Sequence, residues 1–327
     1  MNWFLLIIAC IILWSVTDVL YKASSPQNDP LSHYKTFVWI GIVMALAGGI
    51  MSTWSDTLLQ SFKIIMEDVI YLIPLGVVYA AALFFGLLGK KHLPASIVSV
   101  LENTGGALVA IIIYYYYLLT GYILPSYEFG AIDIVATVSI IVGIILIGKE
   151  EQALFKKEIF LEEDKKTHRL GALALFFPII YTLIDVFSVA EIGGISGNDG
   201  IVGSGGGYLI PGIDFFVFEC IGIALISLFV WLYLLVVKKY LYNPFKQEEF
   251  IRCNAATGET FGTMTFIFAA SIDPILTAPI ASFHCILTIV LARLFLKERL
   301  TKKQYISLGL VVAGVILLAF ADIFSWR

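Results

Sequence analysis

Charge is scarce in this chain and reactive side chains are scarcer. Only 14% of the 327 residues are charged, too few for the surface of an ordinary soluble domain. The four cysteines (Cys10, Cys220, Cys253 and Cys285) are scattered without paired spacing, which argues against a disulfide framework or a thiolate metal site. The four histidines (His33, His92, His168 and His284) have no metal-ligand spacing to one another. No metal or cofactor is therefore expected, and a net charge of −4 gives no reason to expect a nucleic-acid partner. No Asn-x-Ser/Thr sequon occurs, which favours a bacterial protein over a glycosylated one. The first apolar run has no basic residue before it, so it does not read as a secretory signal.

Two short motifs look enzymatic and lack what the chemistry needs. Gly143-Ile144-Ile145-Leu146-Ile147-Gly148-Lys149-Glu150 has phosphate-loop spacing but no Ser/Thr after the lysine, and it follows an apolar helix rather than a strand. Gly194-Ile195-Ser196-Gly197 has the form of a serine-protease motif, but it sits in a Gly-rich loop without the rigid seat and base a nucleophile requires. No catalytic residue is assigned, and the chain is not expected to be an enzyme.

What is abundant is apolar surface, with 59% hydrophobic residues and a mean hydropathy of +0.91. A membrane-crossing helix needs about 20 mostly apolar residues. Ten such spans are expected, near 3–21, 34–52, 70–89, 95–119, 129–148, 170–190, 211–236, 255–270, 274–296 and 304–322. Alternating the intervening loops puts all of the 21 lysines and arginines on one face except Lys63 and Arg327. By the positive-inside rule that face is cytoplasmic, so both termini point out of the cytoplasm. A multi-pass protein of the plasma membrane is expected, as a monomer or homodimer in the lipid bilayer.

The two halves resemble each other. Ile12–Ala23 and Ile179–Ala190 each carry an aromatic residue, then a hydroxyl, then an aspartate: Trp14, Ser15 and Asp18 in one, Tyr181, Thr182 and Asp185 in the other. Trp39–Ile42 resembles Cys220–Ile223, Gly76 matches Gly258, and Val142–Leu146 matches Ala313–Leu317, all in order. Five spans per half make the second half enter from the opposite face, which is an inverted repeat. The expected fold is an all-α polytopic membrane protein of ten transmembrane helices, two inverted five-helix repeats around a central cavity. The halves are 1–148 and 170–327, joined by a cytoplasmic linker over 149–169 with six basic and six acidic residues. The Gly-rich loop 191–212 reads as a flexible connector or a lid, and Tyr114–Tyr117 reads as an interfacial belt.

Ionisable groups inside spans are costly and mark pathways. Asp18, Glu102, Asp185, Glu259 and His284 are therefore the candidate groups for substrate or coupling ion, with Asn103, Trp14 and Tyr181 beside them. For Asp18 a salt bridge to Lys22 one helical turn on is the competing reading, and Glu259 also fits a place near the cytoplasmic interface. At the repeat offset Glu102 matches His284, and an acid and an imidazole at equivalent sites suit proton transfer or the grip of a charged solute. An excess of buried acids points to a cationic or amine-bearing solute, or to protons as coupling ion.

The last part of the chain adds a resemblance. Pro274 and Pro279 stand at the start of the ninth span, followed by Leu294-Phe295-Leu296-Lys297-Glu298-Arg299-Leu300-Thr301, then Gln304, Gly309 and Gly314-Val315. This pattern resembles the ten-helix, EamA-like branch of the drug/metabolite transporter superfamily; in the first half only Gly143-Ile144 keeps it. The resemblance implies a bundle whose central cavity is lined by helices 1, 3, 4, 6, 8 and 9 and which works by alternating access. The chain departs from the family at Asn103 and Cys285, where a proline is usual. The expected function is secondary transport of a small polar metabolite. A membrane-embedded enzyme, a lipid-handling protein, a channel and a non-transporting scaffold or sensor remain open as alternatives.

Overall fold

A computed structural model describes residues 3–26, 29–53, 62–104, 131–159, 177, 180, 212–270, 277 and 280–325. Among the described residues every regular element is helical: α1 (Trp3–Ser24), α2 (Ser32–Ser52), α3 (Phe62–His92), α4 (95–104), α5 (Ala131–Ile159), α6 (Gly212–Val236), α7 (Phe250–Ala270), α8 (His284–Leu291) and α9 (Lys302–Ser325). Of these, α1, α2 and the Phe215–Val236 stretch of α6 are long and apolar enough to cross a membrane. Tyr181, Asp185, Tyr114–Tyr117 and nearly all of the 191–212 loop lie outside the described residues.

The helix ends have identifiable causes. Pro94 disfavours helical backbone at Leu93, so α3 stops and α4 begins beyond it. The Lys22 ammonium donates to the carbonyls of Lys90 (2.8 Å) and Leu93 (2.7 Å), a cation on the last turn of α3. The Glu298 carboxylate accepts from the N–H groups of Ala95 (2.7 Å) and Ser96 (3.2 Å) and from the Ser96 hydroxyl (2.5 Å), an anion on the first turn of α4. Thr301 and Gln304 form a reciprocal capping box at the start of α9: Thr301 N–H donates to Gln304 Oε1 (2.7 Å) and Gln304 N–H donates to Thr301 Oγ1 (3.2 Å).

Some extents differ from the hydropathy reading. α3 starts at 62 rather than 70 and α7 at 250 rather than 255, because helical backbone continues past the apolar stretch. α5 runs through Lys149 to Ile159, so the charged linker begins inside a helix; Thr301 Oγ1 donates to Glu150 there (3.2 Å). The ninth span is not one uniform helix over its described part. α8 gives way to a π-helical turn, Ala292–Leu296, which ends at Lys297 with φ 55.

Packing is tightest where glycines let backbones meet. A Cβ on Gly76 of α3 would lie 2.8 Å from Gly222 Cα of α6, and one on Gly222 would lie 2.6 Å from Gly76 Cα. The α5–α9 pair, the most extensive helix contact among the described residues, is reciprocal. A Cβ on Gly143 would lie 2.9 Å from Ser307 O and against Val311, and one on Gly314 would lie 2.7 Å from Ala136 O and against Ile140. One apolar core joins α1, α2, α3, α6 and α7 around Phe37, Ile40, Met44 and Phe216, and a second joins α4, α5, α8 and α9 around Ile97, Leu101, Ile140 and Val311. The face of α5 turned away from α9 exposes Ile134, Val138, Ile141 and Ile145, apolar surface suited to lipid tails.

Candidate functional site

Four helices bring an ion network into the interior. Lys90, in the last turn of α3, reaches Asp18 Oδ1 of α1 at 3.1 Å and pairs with the Glu102 carboxylate of α4. All three are buried, at 4%, 5% and 5% exposure. The Tyr21 ring lies beneath the ammonium, 5.8 Å from Nζ to its centroid. The other oxygen of Asp18 accepts from Thr288 Oγ1 of α8 (3.1 Å) and lies 3.6 Å from His284 Nε2.

His284 stands between two fixed partners. Its Nδ1 is 3.1 Å from Ala281 O, and its Nε2 is 3.0 Å from Asn103 Nδ2, which also donates to Ser99 O (2.7 Å). The Trp14 indole packs edge-on to the imidazole at 5.4 Å and lies 5.2 Å from the Phe266 ring. Gly262 of α7 leaves room for that indole, since a Cβ there would come within 2.5 Å of it.

Glu259 forms an adjoining node. Its carboxylate accepts from Tyr79 (2.7 Å) and Tyr21 (3.1 Å), with Thr263 against Tyr79 at 3.2 Å. Tyr21 thus joins the two nodes, touching Glu259 through its hydroxyl and Lys90 through its ring.

The structure bears on three points that the sequence left open. Asp18 pairs with Lys90 rather than Lys22, because Lys22 is occupied by the carbonyls that end α3. Glu259 is buried among tyrosine hydroxyls. Glu102 meets Lys90 while His284 meets Asn103 and Asp18, so the acid and the imidazole join one network through intermediaries. Trp14, Asp18, Glu102, Asn103, Glu259 and His284 therefore converge, while Tyr181 and Asp185 lie outside the described residues. Lys90 is the group the sequence reading missed, having counted it as a loop charge. Its signal was phase: Tyr79, Leu83, Gly86 and Lys90 share one buried helical stripe.

A second polar cluster ties the loops at the basic end. Arg252 donates to Glu249 (2.6 Å) and Ser24 O (2.9 Å), and Lys91 donates to Pro30 O (2.9 Å). Asp29, in the loop between α1 and α2, accepts from Lys35 (2.8 Å) and from Leu31 N–H (3.0 Å). Burial works against its charge, but the Lys35 ammonium and the Leu31 amide outweigh it and hold Asp29 below the usual carboxylate range.

No protein-family model matches this chain, and no curated protein does. Among the solved structures, 25 chains match. One, described only as "Crystal structure of protein", aligns with a TM-score of 0.55 at 15% identity, over 99% of this chain and 98% of its own. At that identity the likeness is one of fold, and it extends over nearly the whole of both chains.

Proposed function

We propose that the chain is a secondary transporter of a small polar metabolite, working by alternating access in the plasma membrane with both termini outside the cytoplasm. The observation that carries this reading is the network of Asp18, Lys90, Glu102 and His284, drawn from four helices into the interior of a strongly apolar chain. Buried ionic groups of this kind are costly to keep and characteristically line solute and ion pathways. In this reading ten spans form two inverted repeats, and the helix pairing supports it. Gly143 faces positions 307 and 311 while Gly314 faces 136 and 140, and each position in the first half lies at the same offset from its counterpart. A pseudo-two-fold axis between α5 and α9 would produce that reciprocity. The resemblance of Leu294–Val315 to the EamA-like drug/metabolite transporters points the same way.

The solute class that fits is a small amine, amino acid, sugar or related metabolite, held by hydrogen bonds and one or two charges. A thermal-shift screen of the detergent-purified protein against amino acids, amines, sugars and nucleotides tests the reading. A solute that binds the folded form at about a hundredfold excess over its Kd adds about 2.7 kcal/mol. Stabilisation that Glu102→Gln or Asp18→Asn abolishes in a folded protein is the expected result. A panel without any hit, together with growth that tolerates both variants, would leave a scaffold or sensor as the better account.

A further inference from the structure

We propose that the connector between α8 and α9 binds the headgroup of an anionic phospholipid, whose acyl chains lie on the exposed apolar faces of the two helices it joins. The inference takes from the reading above only that the chain crosses a bilayer; it needs no solute and no transport cycle. Residues 293–303 hold five cations, Arg293, Lys297, Arg299, Lys302 and Lys303, against one acid, Glu298. All five cations are exposed. Clusters of four or more Lys/Arg beside the end of an apolar helix attract anionic headgroups, and an arginine fork suits a phosphate. The other basic connector, 238–249, sets three lysines against two acids.

The structure leaves that charge available. The Glu298 carboxylate is turned onto the N–H groups of Ala95 and Ser96 and the Ser96 hydroxyl, so the one acid of the connector serves α4. Lys303 lies 3.5 Å from Glu150, but its side chain is 79% exposed and water screens the pair. Arg293 Nη1 donates to Glu298 O (2.9 Å), which steadies the guanidinium and uses one of its five N–H donors.

Apolar surface runs up to the cations from both helices. Ile286 and Val290 of α8 and Leu294 beyond it recur at four-residue intervals and are all exposed, and Phe295 is 71% exposed. On α9 the side chains of Tyr305 and Ile306 are exposed, and a Cβ on Gly309 would meet nothing within 4 Å. A free anion would use the cations alone and leave Leu294, Phe295 and Ile306 in water. A phospholipid matches both parts, with its charge at the turn and its tails on the helices, and an aromatic ring such as Tyr305 suits the level between them.

The test counts lipids bound to the full chain by native mass spectrometry, titrating phosphatidylglycerol and phosphatidylcholine of identical acyl chains into the detergent-purified protein. Phosphatidylglycerol is expected to fill its first site at least about tenfold more tightly. Glycine suits the left-handed backbone at Lys297 (φ 55), so Lys297→Gly removes a charge without straining the turn. Alone it is expected to weaken phosphatidylglycerol about fivefold, and together with Arg299→Gln and Lys302→Gln at least about tenfold, with phosphatidylcholine unchanged. Arg293 stays in place because it braces the connector. Lys238→Gln, Lys239→Gly and Lys246→Gln remove equal charge from the other connector and are expected to leave the first site intact. A thermal melt in phosphatidylcholine checks that both triple variants fold, and the Lys297→Gly variant alone carries the test if either does not. Equal affinity for the two lipids, or equal loss in the two triple variants, overturns the proposal. So does displacement of the lipid by millimolar inorganic phosphate, which would mark a plain anion site, or by an oligoglutamate peptide, which would mark a protein-docking surface. No arm uses a solute, so failure removes the lipid site alone, whereas the transport reading stands or falls on the ligand screen.

Discussion

Replacing Lys90 with Met keeps the length and packing of the side chain and removes its charge, which makes it the most searching test of the network. Lys90 lies 3.1 Å from Asp18 and closer still to Glu102, with all three side chains under a tenth exposed. At such separations an effective dielectric near 20 gives about 5 kcal/mol of gross attraction per contact, most of which the desolvation of the charges offsets. Removal of the shared partner is different, because two carboxylates then remain buried against each other; losses of about 3–5 kcal/mol are typical. Lys90→Met is therefore expected to lose about 3–5 kcal/mol in equilibrium unfolding in mixed detergent micelles. Adding Asp18→Asn and Glu102→Gln removes both carboxylate charges that Lys90 had balanced, and the triple variant is expected to recover at least about 2 kcal/mol of that loss. A single variant within about 0.5 kcal/mol of the wild type, the range of an ordinary surface substitution, would refute the reasoning. So would a triple variant no more stable than the single.

Gly143→Leu is expected to cost about 1–3 kcal/mol or to break the α5–α9 pairing, since its Cβ alone would sit 2.9 Å from Ser307 O; unfolding by the same assay reads it. Tyr79→Phe takes a 2.7 Å donor from the buried Glu259 carboxylate and is expected to cost about 1.5–3 kcal/mol, against an unchanged value if the pair is incidental. Asp29 supplies the acid-side pH dependence. Its folded value is depressed, so its contribution is complete above the unfolded value of about 3.9 and disappears as pH falls through the folded one. Its ion pair with Lys35 is partly exposed, so the contribution is about 1 kcal/mol or less. Asp29→Asn should flatten stability across that acid window and leave the profile above pH 5 parallel to the wild type.

The elements that read clearly from sequence are those whose apolar run is long and ends cleanly. α6 was expected over 211–236 and is found over Gly212–Val236, because no charge blurs its C-terminal end before Lys238. Glu259 interrupts the apolar run of α7, yet Tyr21 and Tyr79 satisfy that carboxylate from neighbouring helices and the helix runs on to Ala270. A hydropathy window sees the charge and not its partners. Within the site, Asp18, Glu102 and His284 were legible as ionisable groups in apolar surroundings, and Asn103 and Trp14 by their place beside them. Lys90 was not. A lysine near a span end normally extends toward water, and only the direction of its helical stripe, together with Lys22 taking the nearby carbonyls, turns it inward. Pairing depends on which helices adjoin, and that is set by glycine contacts such as Gly76–Gly222, which sequence spacing alone does not match up.

Glu298 shows how a surface connector can govern the buried charges. The π-turn after α8 and the left-handed Lys297 reverse the chain, and Glu298 is thereby brought onto the first amides of α4. Lys22 holds the last carbonyls of α3 on the other side of Pro94. Two caps of opposite sign thus fix the junction from which Lys90 and Glu102 project, on either side of one short break in the helix. Glu298→Ala should cost about 0.5–2 kcal/mol as a lost cap. Its more telling effect lies elsewhere. If the cap sets the position of α4, the coupling between Lys90 and Glu102, measured by a double-mutant cycle, should shrink in the Glu298→Ala background. The two residues share no atom with Glu298, so a cap that acts only locally would lower stability and leave that coupling unchanged. An unchanged coupling would therefore separate the connector from the network, whereas a reduced one would show that the length and charge of the Leu294–Thr301 segment tune the interior from the surface.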